Sequence, residues 1–122
     1  MNNKTIGELR FNSGWEKKDK VIYCGKVYDI DVNFVAYFET DQVTLEQENS
    51  YKEFLSNKKE LESRVEEEIA RGEIIDSFYP VLLLVKRNGD YGLVFDRKDR
   101  EDDGMVVVLK PKLEIVDTDV FF

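Results

Sequence analysis

Hydrophobic and polar residues alternate with a period of two along several stretches of the chain, as is typical of half-buried β-strands. The clearest stretch is Val27–Glu39, where one face carries Asp29, Asp31 and Asn33. Its other face is apolar and consists of Tyr28, Ile30, Val32, Phe34, Ala36 and Phe38. Shorter strands are predicted at Ile6–Asn12 and Val21–Cys24, with Gly25-Lys26 as the turn into the long strand.

In the middle of the chain, a period of three to four residues predicts one long helix from about Leu45 to Arg71. Its apolar stripe is formed by Tyr51, Phe54, Leu55, Leu61, Val65 and Ile69. Thr44 followed by Gln47 is the pattern of a capping box, and Gly72 can end the helix. Asn49-Ser50 are two weak helix formers, so a bend or a second helix start is expected there.

The C-terminal third returns to short apolar runs. Val81–Val85 is continuous and predicts a strand buried on both faces, and Asn88-Gly89 predicts a hairpin turn after it. Further strands are expected at Tyr91–Phe95, Met105–Leu109 and Leu113–Asp117, and Val120–Phe122 is expected to pack on the core. These elements predict a single α+β domain over residues 1–122, with an antiparallel sheet of about six or seven strands and the long helix packed on one face.

The amino-acid composition excludes several kinds of catalytic and metal-binding sites. Histidine is absent and cysteine occurs once, at Cys24, so Ser-His and Cys-His nucleophile pairs and His-containing zinc sites are excluded. We therefore expect no catalytic residues, no metal site and no cofactor. Cys24 is interpreted as a small buried side chain. Trp15 is placed in a loop, where it fits either a core anchor or an exposed contact.

A calcium site and a catalytic pair of carboxylates are two alternatives, and the sequence argues against both. The stretch Asp99-x-Glu101-x-Asp103-Gly104 is similar to the start of a calcium-binding loop, but Lys110 stands where the bidentate acid belongs. Paired carboxylates could serve as a glycosidase-like acid and base, yet no two of them are set apart in an apolar stretch. For the stretch from Asp99 to Gly104, a solvated connection between strands is the better interpretation.

The net charge of −8 comes from 26 acidic and 18 basic residues, and it is unevenly spread. Residues 1–26 carry +3 and residues 27–122 carry −11. The electrostatic field of this negative net charge repels nucleic-acid phosphates and anionic lipids and attracts cationic proteins. The N-terminus has no signal-peptide pattern and no apolar run approaches the length of a membrane span, so we expect a cytoplasmic protein with neither nucleic acid nor membrane as partner.

Acidic residues cluster in two places that could contact a cationic partner. The first cluster is Asp96, Asp99, Glu101, Asp102 and Asp103, and the second is Asp29 with Asp31. The alternative is that these carboxylates are exposed charges that only keep the domain soluble.

Several short segments resemble a family of small uncharacterised bacterial domains. They are Phe11 to Trp15, the Gly25-Lys26-Val27-Tyr28 entry to the long strand, the mid-chain helix, and residues 88–96 and 100–107. Members of that family are thought to be immunity proteins of polymorphic or contact-dependent toxin systems. The resemblance, over Phe11 to Phe122, implies a monomer that neutralises a cognate toxin in a 1:1 complex. A basic nuclease toxin would suit an acidic inhibitor. The alternative is a non-catalytic regulatory or structural protein-interaction domain of the bacterial cytosol.

Overall fold

The computed structural model describes residues 1–99 and 104–122, and its centre is a seven-stranded sheet. Before the sheet comes a small ribbon of two strands, β1 (Asn2–Asn3) and β2 (Gly7–Glu8). The sheet strands lie side by side in chain order and are β3 (Arg10–Phe11), β4 (Trp15–Tyr23), β5 (Lys26–Phe34), β6 (Phe78–Val85), β7 (Tyr91–Arg97), β8 (Met105–Lys110) and β9 (Glu114–Asp117). The predicted α+β class and the number of strands are confirmed, and most neighbouring strands are antiparallel, as predicted.

One pair of neighbouring strands departs from the antiparallel pattern. β5 and β6 run parallel, with Asp31 opposite Leu82 and Phe34 opposite Val85. Parallel neighbours need a long crossover connection, and the helical segment between these strands supplies it. The sheet is therefore mixed rather than purely antiparallel.

The predicted single helix is corrected to two, α1 (Leu45–Ser56) and α2 (Lys58–Ala70). The break falls at Asn57, which leaves the helical backbone conformation and donates from its side-chain amide to the Glu53 carbonyl at 2.9 Å. Such side-chain bonds compete with the helical hydrogen bonds of the main chain. Asn49-Ser50 stays helical, because Ser50 is buried and its hydroxyl donates to the Gly89 carbonyl.

The start of α1 has the predicted capping box. The Thr44 hydroxyl accepts from the Gln47 N–H at 3.1 Å, and the Gln47 side-chain oxygen accepts from the Thr44 N–H at 2.9 Å. The rest of the Gln47 amide reaches inward and donates to the carbonyls of Val35 and Val85. One side chain thus caps the helix and attaches it to the ends of β5 and β6.

The helices pack on one face of the sheet, and the main hydrophobic core lies between the helices and this face. Its largest buried side chains include Phe34, Tyr51, Phe54, Leu83, Tyr91 and Phe95. The opposite face carries a second, smaller cluster of Leu84, Val94, Val106 and Val108, against which Phe121 of the short helix α3 (Thr118–Phe121) packs. The expectation that the C-terminal residues dock is met by Phe121, whereas Val120 and Phe122 are exposed.

The long strand predicted at Val27–Glu39 ends earlier, at Phe34. Ala36 is still buried, but Phe38, which was expected on the same apolar face, is 68% exposed. The chain turns away because the Asp41 carboxylate accepts from the N–H groups of Tyr37 and Phe38, at 3.0 and 3.1 Å. The resulting loop displays two aromatic side chains at the surface.

The N-terminal strands also differ from the prediction. The strand expected at Ile6–Asn12 is split into β2 and β3 at Leu9, whose N–H bonds instead to the Met1 carbonyl at 2.8 Å. β4 starts at Trp15 rather than Val21. Trp15 is a core anchor: it is buried and its indole N–H donates to the Asp41 carbonyl at 2.6 Å.

Cys24 is exposed, which corrects its interpretation as a buried residue. The turn between β4 and β5 is Cys24-Gly25, one residue earlier than predicted. Both residues have positive φ, 53° and 75°, as the tightest hairpin turns require. A turn position points the side chain outward, and this accounts for the exposure.

Candidate protein-binding surface

Asp29 and Asp31 lie on the sheet face opposite the helices. They alternate along β5 with Ile30 and Val32, which are buried in the main core. On the neighbouring strand, Lys20 is directly opposite Asp29 and Lys18 is directly opposite Asp31. Both pairs form salt bridges, the first with 2.5 Å between Lys20 Nζ and Asp29 Oδ1. These two carboxylates are therefore matched by two cations, and their surface is close to neutral.

The other predicted cluster lies near the end of β7. Asp96 is half-buried on the strand, and Asp99 follows it and pairs with Arg97 at 3.0 Å from Nε to Oδ1. Alternation along β7 places Asp96 on the same side as Val94, the side that also carries Asp29. β5 and β7 run in opposite directions, so the start of β5 and the end of β7 meet at one end of the sheet. Glu101, Asp102 and Asp103 lie outside the described residues.

A larger excess of acidic residues lies on the helical layer, which the sequence analysis interpreted as ordinary solvent-facing charge. Residues 45–76 contain ten carboxylates and five cationic side chains, a net charge of −5 within the total of −8. A net charge taken element by element would have revealed it.

Part of this helical charge has a structural role. Glu48 accepts from the Asn3 amide, Glu53 from the Tyr91 hydroxyl, and Glu62 from the Ile22 N–H at 2.6 Å. Two further glutamates form the salt bridges Arg64–Glu60 and Arg71–Glu68. Within the described parts of the chain, no salt bridge is formed by Glu46, Glu66, Glu67, Glu73 or Asp76. These five carboxylates keep their charge available to a partner.

A polar cluster fixes the helices to the edge of the sheet. The Asp19 carboxylate accepts from the Tyr51 hydroxyl at 2.7 Å, from the Lys58 ammonium at 3.0 Å and from the Lys20 N–H at 2.7 Å. Burial alone raises the pKa of Asp19, but these donors outweigh it and hold the pKa below its ordinary value. The cluster sets the position of both helices against β4.

An apolar groove of about 610 Å³ lies on the sheet face opposite the helices, beside the end of the chain. It is lined by Ser13, Asn33, Val35, Tyr37, Leu82, Leu84, Lys86, Arg87 and Phe122. Tyr37 is 75% exposed and Phe122 is 64% exposed. No sequence pattern indicated this groove, because the prediction continued β5 past the loop that builds its wall.

Between residues 1 and 99 and between 104 and 122, no group of three or more Cys, Asp or Glu is arranged to hold a metal ion. The segment similar to a calcium loop falls largely on residues outside the description. Desolvation and the nearby Glu66 raise the pKa of the Cys24 thiol. In the same described parts, no helix has the length and apolar character needed to cross a membrane.

Comparison with known proteins gives one match. Residues 5–72 match a family described as a domain of unknown function, DUF6985. The matched part runs from before β2 to just after α2, and so it contains the helical layer with most of its carboxylates. No curated protein and no solved structure shows a significant match.

Proposed function

The chain belongs to the DUF6985 family. From its charge distribution we propose that it is a non-catalytic domain that binds a basic protein through its anionic surface. The partner in this proposal is a cognate bacterial toxin of the nuclease type, and the domain is its cytoplasmic immunity protein. Nuclease toxins carry cationic surfaces to hold phosphates, so an acidic inhibitor can reach them quickly and cover the active site.

The observation that carries the proposal is the concentration of charge on a rigid layer. Residues 45–76, which include the two helices, hold −5 of the total −8, and polar contacts of Gln47 and Asp19 fix the helices to the sheet. A backbone that is already fixed loses little conformational freedom on binding, which favours affinity. In this proposal, the acidic residues predicted from the sequence, including Asp96, Asp99 and the residues at 101–103, form a second contact region.

The test starts from the protein encoded beside this gene. We expect that co-expression rescues growth when that neighbour is toxic, and that the purified pair forms a 1:1 complex whose association slows at high salt. The absence of both growth rescue and binding with that neighbour would contradict the proposal. Binding to a resident host protein, with no toxin beside the gene, would favour a regulatory interaction domain instead.

Charge-neutral variants then locate the contact region. One set is Glu66→Gln with Glu67→Gln and Glu73→Gln on the helical side, and a second is Asp29→Asn with Asp31→Asn. A third neutralises Asp96, Asp99, Glu101, Asp102 and Asp103. The matched control, Glu114→Gln with Asp117→Asn, alters charge on β9. We expect the helical set to slow association about tenfold or more and the control to change it little. Equal association rates for all four sets would refute binding through carboxylates.

A further inference from the structure

The groove on the open sheet face has a preformed wall. The loop after β5 is held by the Asp41 carboxylate, which accepts two successive N–H groups, and by the Trp15 indole, which donates to the Asp41 carbonyl. The Arg87 guanidinium adds two more bonds, to the carbonyls of Val35 and Gln42, both at 3.1 Å. Side chains from three parts of the sequence thus fix one short surface loop.

This fixed loop presents apolar area that the fold itself does not use. Tyr37 and Phe38 are both largely exposed, and Phe122 is exposed at the other side of the groove. Between them, Val35, Leu82 and Leu84 form an apolar floor. Contiguous exposed apolar surface of this kind marks interaction sites, and rigid aromatic side chains are the usual anchors of such sites.

The charged side chains that line the groove are positive, whereas the whole domain has a net negative charge. Lys86 and Arg87 line it, and none of the described lining residues has an acidic side chain. The two bonds of Arg87 to main-chain carbonyls hold its charge in place, and the Lys86 ammonium lies 4.1 Å from the Phe121 ring centre. A cationic border beside an apolar floor is complementary to an apolar group with a carboxylate next to it.

We propose that this groove docks a protein segment that places a large apolar side chain on Leu82 and Leu84 and an adjacent Asp or Glu against Lys86 and Arg87. The site lies on the face opposite the helical layer and binds the opposite charge, so it is independent of the function proposed above. A domain with both surfaces can hold a basic protein on one face and an acidic, apolar segment on the other.

A random twelve-residue peptide library displayed on phage tests the proposal with the full chain as the immobilised protein. We expect the selected peptides to be enriched in a large apolar residue within two positions of Asp or Glu. Synthetic copies of those peptides, measured by fluorescence anisotropy, should bind at least tenfold more weakly to Tyr37→Ala and to Lys86→Glu.

The matched controls are Ile74→Ala, another exposed apolar residue, and Lys59→Glu, an exposed lysine on α2. Both should bind the peptides like the wild type, and urea unfolding of every variant checks that the fold is intact. No enrichment over the unselected library, or equal binding by the groove variants, would overturn the proposal. It would also be overturned if decanoate bound with the same dependence on Lys86 while no peptide was selected, because the ligand would then be a small amphipathic anion.

Discussion

The buried side-chain amide of Gln47 donates to the main-chain carbonyl of Val85 at 3.1 Å. The same Nε2 donates to the Val35 carbonyl at 3.0 Å, and the side-chain oxygen accepts from the Thr44 N–H. Val35 and Val85 lie at the ends of the two parallel strands, whose pairing continues through a bond from the Val35 N–H to the Val85 carbonyl. Gln47 therefore joins the helix start to the parallel pair of strands.

Replacing this amide by an apolar group of similar size should be costly. We expect Gln47→Leu to lower the free energy of unfolding by about 2 kcal/mol, because it removes the side-chain bonds of Gln47 and leaves the Thr44 N–H without its partner, at about 1–3 kcal/mol for an orphaned group. The Val35 and Val85 carbonyls keep the bonds that they accept from Arg87 and from the Val35 N–H. Urea denaturation measures the change. Lys52→Leu, at an exposed position of the same helix, is the control and should change stability by less than about 0.5 kcal/mol. Similar effects of the two substitutions would contradict this role for Gln47.

Asp19 should make stability depend on acid pH. Its pKa is lowered in the folded state, so its contribution to stability is fully present above the unfolded pKa of about 3.9 and is lost as pH falls through the folded value. We expect Asp19→Asn to be clearly less stable than wild type at pH 7 and the difference to shrink below about pH 4. Urea unfolding of both proteins between pH 3 and pH 7 measures this difference in stability.

The control for Asp19 is Asp29→Asn. Asp29 also pairs with a lysine, but its side chain is 77% exposed against 18% for Asp19. Exposed ion pairs contribute about 0–1 kcal/mol, so this variant should stay close to wild type throughout the pH range. A difference between wild type and Asp19→Asn that persists unchanged at pH 3 would show that the Asp19 charge is not responsible.

Cys24 should be a position where substitution stabilises the protein. Its φ of 53° lies in the left-handed region, which asparagine and glycine adopt at lower cost than other residues. We expect Cys24→Asn to raise the free energy of unfolding by about 0.5–1 kcal/mol and Cys24→Val to lower it by about 1 kcal/mol. Thermal or urea unfolding under reducing conditions checks both. The opposite order would contradict a backbone origin of the effect.

Most of the fold could be predicted from local patterns in the sequence. Alternation identified β5 and a continuous apolar run identified β6, whereas only the end of β4 was predicted. The Thr44 and Gln47 pair marked the helix start, and Asn88-Gly89 marked the hairpin between β6 and β7. One error arose where side chains outside the strand decide the backbone. Asp41 and Arg87 end the apolar alternation of β5 by holding the next residues in a loop, which a period of two cannot reveal.

The candidate surfaces were less predictable for a related reason. Carboxylates can be counted in the sequence, but their pairing depends on strand register, which places Lys18 and Lys20 directly opposite Asp31 and Asp29. The apolar groove combines residues from the start, middle and end of the chain. Only the folded arrangement shows which charges are neutralised and which apolar side chains stay exposed.

The loop that carries Tyr37 and Phe38 should lose its order when its central acceptor is removed. We expect Asp41→Ala to release both N–H groups, to speed their hydrogen exchange at least tenfold and to weaken the binding of groove-selected peptides. The Trp15 bond goes to the Asp41 carbonyl and is retained, so the core should remain folded. Hydrogen exchange by NMR reads both residues directly, with Glu39→Ala in the same loop as the control. Unchanged exchange at Tyr37 and Phe38 would show that the loop is held without the carboxylate, and peptide binding should then be unaffected as well.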